Sequence, residues 1–262
     1  MWPNLISVGS YHLATYGVCV AAAYLTAIYW LKSQMENMGL DEKKFWTLIY
    51  CLFFGAIAGG KILYVIVEWH SFVSGQLRLF RDFRYGFVFY GGFLGAMLMG
   101  ALYARLTGVG FLRIADYFGV ALPMGHWLGR LGCLAAGCCY GRPTRLPWGI
   151  RFTDSYSLVP ESLLGVPLHP TQLYEAIGHI AMGIFLYRLL QRVLKEKFRT
   201  GTVFFAYVLL YAALRFFVEI FRGDDRGGFW LGLSPSQRIA LACVAVAGPL
   251  LWHRGIWTKN SA

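Results

Sequence analysis

Charge is scarce in this sequence, and negative charge is scarcest. Only 14% of the 262 residues are Asp, Glu, Lys or Arg, and 13 acidic side chains stand against 24 basic ones. Ordinary soluble domains carry roughly 25% charged residues, so this composition excludes the usual water-soluble globular enzyme. Internal repeats, low-complexity tracts and linkers are absent, and a single domain over residues 1–262 is expected. The N-terminus has no basic region ahead of its apolar run, so no cleavable signal peptide is expected. No RNA- or DNA-binding motif accompanies the formal net charge of +11. Such an excess fits attraction to anionic lipid, and no nucleic-acid partner is expected.

What the chain has in quantity is apolar sequence, 57% of its residues, with 17% aromatic. A spanning helix needs about 20 mostly apolar residues. Seven stretches meet that need: Tyr11–Leu31, Phe45–Val67, Tyr85–Ala104, Leu112–Gly129, Thr171–Arg188, Gly201–Phe221 and Ser236–Trp252. The predicted fold is therefore an all-α membrane protein, a bundle of seven transmembrane helices. The Gly- and Pro-rich segment 129–170 is the one connection long enough for a small extracytoplasmic subdomain. RLLQRVLKEKFR (Arg188–Arg199) is a dense basic loop. Basic loops stay cytoplasmic, which places the N-terminus outside and the C-terminus inside.

Ionisable residues within apolar spans are costly and face a partner, a wet cavity or a substrate. YAALRFFVEIFR spaces Tyr211, Arg215 and Glu219 by four, with Arg222 three further on, which predicts one helix face. Two readings stand: a structural Arg215–Glu219 pair, or an Arg215 that holds a phosphate while Glu219 positions it. Lys61 is expected to snorkel toward an interface. In LHPTQLYEAIG, Thr171 reads as an N-cap and Glu175 as a complement to the helix dipole. That leaves His169 and Gln172 unexplained.

GRLGCLAAGCCYGRP (Gly129–Pro143) sets Arg130 and Arg142 among four glycines, a composition suited to cradling phosphate. Its three thiols admit three accounts. A disulfide between two of them on an oxidising face is the first. A zinc site is a second account, from Cys133, Cys138 and Cys139 with His126 or His169, although C-x4-C-C matches no usual zinc spacing and no metal is expected. The third is a reactive thiolate beside arginine.

Taken together, these blocks resemble the bacterial prolipoprotein diacylglyceryl transferases. The likeness rests on Gly-Arg-x-Gly after the fourth span, HPTQLYE at the fifth, RFFVEIFR in the sixth, GGKILYV in the second, and Tyr16 with Gly17 in the first. The resemblance implies an inner-membrane enzyme that moves the diacylglyceryl group of phosphatidylglycerol to the lipobox cysteine thiol of a preprolipoprotein, with glycerol phosphate leaving. No cofactor is implied. By motif position, Arg130 and Arg215 are the arginines expected at the lipid phosphate, with Tyr211 and Glu219 supporting Arg215. Tyr16, Gly141 and Gln172 would line the cavity, and Arg142, His169 and Arg222 complete the lipid-binding set.

The family's block reads Gly-Arg-x-Gly-Asn-Phe-x-Asn-x-Glu. Here Cys133, Ala136 and Cys138 take the places of the two asparagines and the glutamate, and Tyr90 stands where a histidine is usual. The thiol-activating base is then expected among Tyr90, Glu219 and His169. An alternative is a divergent paralogue acting on phosphatidylglycerol-type lipids with another acceptor, Cys138 serving as nucleophile. A non-catalytic lipid-binding or transport protein is a third reading.

Overall fold

The computed structural model describes residues 2–8, 11–75, 86–224, 228 and 232–255. Tyr85, the expected start of the third span, lies outside them. The architecture is mostly helical, as expected. Among the described residues, seven helices run 18 residues or longer. Three of them, Glu42–Val67, Thr171–Leu194 and Thr202–Glu219, are both long and apolar enough to cross a membrane.

The chain divides into two compact units, Gln34–Ile114 and the remainder. In the Gln34–Ile114 unit, α2 (Glu42–Val67) packs on α4 (Phe89–Thr107), and a short α3 (Trp69–Val73) follows α2. Asp41 caps α2 by accepting from the Lys44 amide at 2.7 Å. Glycines bring the two long helices together. A Cβ on Gly59 would meet the Gly91 carbonyl oxygen and lie 2.9 Å from the Gly95 Cα. The Lys61 ammonium donates to the Gly86 carbonyl at 2.8 Å, which uses its charge on a backbone oxygen.

The second unit opens with an antiparallel hairpin, β1 (Asn4–Val8) and β2 (Tyr11–Ala14), followed by α1 (Thr15–Ser33). The expected first span therefore begins four residues late, because Tyr11–Ala14 pairs as a strand. The later helices are α5 (Phe111–Ala136), α6 (Thr171–Leu194), α7 (Thr202–Glu219) and α8 (Pro235–Gly255). α7 packs against both α6 and α8. Asp116 is a buried cap: its carboxylate accepts from the amides of Gly201 at 2.6 Å and Phe204 at 2.9 Å, at the start of α7.

Two boundaries differ from expectation in ways that matter. α5 runs on to Ala136, past the expected end at Gly129. Gly132 is a helix-packing glycine and not part of a turn, since a Cβ there would lie 2.9 Å from the Cys19 Cβ. α7 stops at Glu219, so Arg222 leaves the expected helix face and forms an isolated bridge with Gly141. Between α5 and α6, β3 (Ile150–Arg151) pairs with β4 (Pro167–Leu168). Beneath that ladder lies a small core of Tyr140, Phe152, Val159 and Leu168.

Candidate functional site

Three helix faces of the second unit meet in layers. On α5, His126, Arg130 and Cys133 are spaced by four and three residues. α6 presents Gln172, Glu175 and His179, and α7 presents Tyr211, Arg215 and Glu219. Each set recurs at helical spacing, so the three stripes stack level by level.

The lowest layer is aromatic. His126 stacks on His179 at 4.2 Å between centroids, and the Tyr211 ring lies 5.7 Å from each. Tyr211 thus meets imidazoles at the level below Arg215.

The middle layer is ionic and centres on Glu175. Arg130 Nη2 lies 2.6 Å from its Oε2, while Arg222 Nη1 and Arg215 Nη1 lie 3.2 and 3.9 Å from its Oε1. Glu175 is 1% exposed, too deep for a group that merely complements a helix dipole at the surface. Arg215 also meets Glu219 at 2.5 Å and donates to Ser236 on α8 at 3.1 Å. Arg222 is held from its other side by Asp224, at 2.8 Å through both Nε and Nη2. Such charges stay buried only when mutually paired. Among the described residues, Arg130 Nε and Gln172 Oε1 are buried polar atoms with no hydrogen-bond partner.

The upper layer holds the thiols. α5 ends in a Schellman reversal at Gly137 (φ 76°), with the Cys138 amide on the Cys133 carbonyl at 3.1 Å and the Gly137 amide on that of Leu134 at 3.3 Å. Cys139 then adopts a left-handed φ of 61°. The reversal folds Cys138 back over Cys133, and the three sulfurs lie within 4.8 Å of one another. None of the six cysteines is joined in a disulfide, so the disulfide account is not realised. Hydrogen bonds from Cys133 and Cys138 draw the Cys139 thiol far below its ordinary range, with Arg222 and Arg130 adding to the effect. Its own bonds with Cys133 and Cys139, together with burial, push Cys138 up, which makes it a poor nucleophile at neutral pH.

Other expected residues fall around this stack. Thr171 is the first helical residue and not the N-cap, a place taken by Pro170; its hydroxyl donates to the Cys139 carbonyl at 2.7 Å. Gln172 donates to the Cys138 carbonyl at 2.8 Å. Gly141 bonds the His169 carbonyl through its amide at 3.1 Å, and a Cβ there would strike it. Arg142 is exposed and donates to the Arg222 carbonyl at 2.9 Å. His169 Nδ1 sits 3.2 Å from the Tyr174 hydroxyl. Tyr16 is half-exposed and within electrostatic reach of Arg130 and the three thiols. Tyr90 belongs to the other unit, near the start of α4. Glu175 was expected only to complement a helix dipole, Cys139 only as one of three thiols with open roles, and Asp224 had no part in the expected site.

A cavity of about 670 Å³ opens beside the lowest layer, lined by Trp30, Pro123, Met124, Trp127 and Ile180, with His179 on its wall and Arg188 at its edge. Its volume is that of ordinary ligand sites.

Comparison with known proteins identifies the family. The sequence model of the family described as prolipoprotein diacylglyceryl transferase matches residues 3–253. A phosphatidylglycerol–prolipoprotein diacylglyceryl transferase of Clostridium tetani is 32% identical over 94% of this chain and 95% of its own. The second such enzyme of Clostridium perfringens is 36% identical over 91% and 90%. That of Geobacter sulfurreducens is 34% identical over 85% and 83%.

Proposed function

The chain belongs to the prolipoprotein diacylglyceryl transferase family, and from that membership we propose that it moves the diacylglyceryl group of phosphatidylglycerol onto the lipobox cysteine of a preprolipoprotein. The observation that carries the reading is the shared grip of Arg130 and Arg215 on the two oxygens of Glu175. Glu175 sets the spacing of the two guanidiniums before any lipid arrives. A phosphate entering beside them meets preorganised forks, and the unpartnered Arg130 Nε is a donor in reserve.

In the reaction the acceptor thiol gives up its proton to water. A C–S bond forms at the glyceryl carbon as the C–O bond to phosphate breaks, and the electron pair leaves with glycerol phosphate. Fixed positive charge at the leaving group lowers that barrier, and alignment of thiol and carbon supplies the rest. The apolar cavity between Trp30 and Ile180 suits acyl chains. In this reading Tyr16, Gly141, Arg142, His169 and Gln172 make up the lipid-binding set, and Glu219 steadies Arg215. Arg222 serves by holding Glu175 and Asp224.

In this reading seven helices cross a bacterial inner membrane, with the N-terminus outside, the C-terminus cytoplasmic, and segment 129–170 forming an extracytoplasmic subdomain. The test is incubation of the purified protein with isotope-labelled phosphatidylglycerol and a lipobox peptide. The peptide gains the diacylglyceryl mass as a thioether and glycerol phosphate appears in equal amount. A folded protein that yields neither overturns the reading.

A further inference from the structure

We propose that Cys133, Cys138 and Cys139 form a three-thiolate site for a soft, thiophilic cation such as Zn²⁺, whose open fourth position takes the acceptor thiol. The metal site stands on its own geometry; the role of the fourth position rests on the transferase reading.

The sulfurs converge because the backbone makes them. The Schellman reversal at Gly137 brings Cys138 over Cys133, and the left-handed Cys139 turns back toward both. A non-glycine residue in that conformation is strained and clusters at functional places. The carbonyls of Cys138 and Cys139 are pinned to α6 by Gln172 and Thr171, so the dipeptide is held from behind. Zinc–sulfur bonds of about 2.3 Å put sulfurs sharing one ion about 3.8–4.0 Å apart. Sulfurs already within 4.8 Å of each other need to close by less than about 1 Å to match that spacing. C-x4-C-C differs from knuckle spacings because a helix-end reversal, and not a short loop, performs the gathering.

Chemistry and charge agree. Thiolate sets select Zn²⁺ or Cu⁺ over hard cations. Three thiolates around a divalent ion carry a net charge of −1, and each thiol still protonated releases its proton as it binds. A fourth thiolate would make it −2. Arg130 and Arg222, each already paired with Glu175, lie within electrostatic reach of Cys139. Cys133 is buried while Cys138 and Cys139 are half-buried, which leaves an entry side.

Three protein ligands with one open position is the arrangement that admits a substrate. An acceptor thiol binding there gives up its proton to water, since metal coordination deprotonates a thiol outright. The bound sulfur then forms its bond to the glyceryl carbon while the C–O electron pair departs with the phosphate beside Arg130. The product thioether, a weaker ligand, leaves the ion. No side-chain base is required.

Full-length protein in detergent micelles, reduced and stripped of metal, is titrated with Co²⁺ and followed by the near-ultraviolet sulfur-to-cobalt charge-transfer band. The band saturates at one ion per chain. It is lost in Cys133→Ser, Cys138→Ser and Cys139→Ser proteins that retain wild-type helix content. It persists when Cys19, Cys51 and Cys243 are all replaced by serine. Absence of the band from the reduced, folded wild type overturns the site, as does its survival in Cys138→Ser combined with Cys139→Ser. So does a disulfide between two of the three that forms in place of metal binding. Adding lipobox peptide raises the band by about a third, four thiolates replacing three, and a Ser-for-Cys peptide does not. Cobalt binding with no response to the peptide, while labelled lipid is still transferred, overturns the acceptor role and leaves the transferase reading intact. A peptide response without any transfer counts against the transferase reading and not the site.

Discussion

Arg130 and Glu175 meet at 2.6 Å, from the last turns of α5 to the second turn of α6. The same carboxylate reaches Arg215 on α7 and Arg222 beyond it. One acidic side chain thus fixes three guanidiniums supplied by three segments of the chain.

Replacing Glu175 leaves those cations facing one another in a buried space. Glu175→Ala is expected to cost about 3–5 kcal/mol, the usual penalty for unpairing a buried ion. Glu175→Gln keeps the shape and loses the charge, so it is expected to fold less stably and to lose transfer. Thermal unfolding in detergent, read beside turnover of labelled phosphatidylglycerol, separates the two effects.

Arg215→Ala removes a fork from the phosphate and is expected to lower kcat by about 10²–10³-fold, the range for deleting one preorganised donor. Arg215→Lys is expected to stay poor as well, because an ammonium is a point charge and cannot bridge Glu219, Glu175 and a phosphate together. Steady-state kinetics on both variants tests this, and a lysine variant near wild-type kcat would contradict it.

Asp116 lies outside the ionic stack and caps α7 through two amides. Asp116→Ala leaves those donors buried and unpaired. A loss of about 1–3 kcal/mol is expected, with turnover per folded molecule unchanged. Thermal unfolding and active-site titration measure the two quantities.

Gly59 and Gly17 separate packing from mere smallness. A Cβ at Gly59 meets the backbone of α4, whereas one at Gly17 meets nothing within 4 Å. Gly59→Ala is expected to destabilise by about 1–3 kcal/mol through overpacking, and Gly17→Ala to be near neutral. Thermal unfolding midpoints of the two variants check the contrast.

Hydropathy made the helices legible, because a lipid-facing segment must be apolar along its whole length. It could not mark the hairpin at Asn4–Ala14, where four residues of the apparent first span pair as a strand. The glycines of GRLGCLAAGCC read as loop, yet Gly132 is helical and small because Cys19 on α1 packs against it. Arg215 and Glu219 were legible from their spacing of four, a relation internal to one helix. The place of Glu175 was not, since its partners come from residues 45 positions earlier and 40 and 47 positions later in the sequence. The convergence of the thiols depends on a helix-end reversal and a left-handed cysteine, neither of which leaves a mark in residue spacing.

The most direct measurement is transfer from labelled phosphatidylglycerol to a lipobox peptide by Arg130→Ala protein, its folding verified by thermal unfolding beside the wild type. The account predicts a diacylglyceryl-thioether peptide from the wild type and a loss of about 10²-fold or more in the variant. Equal rates from the two proteins would contradict it.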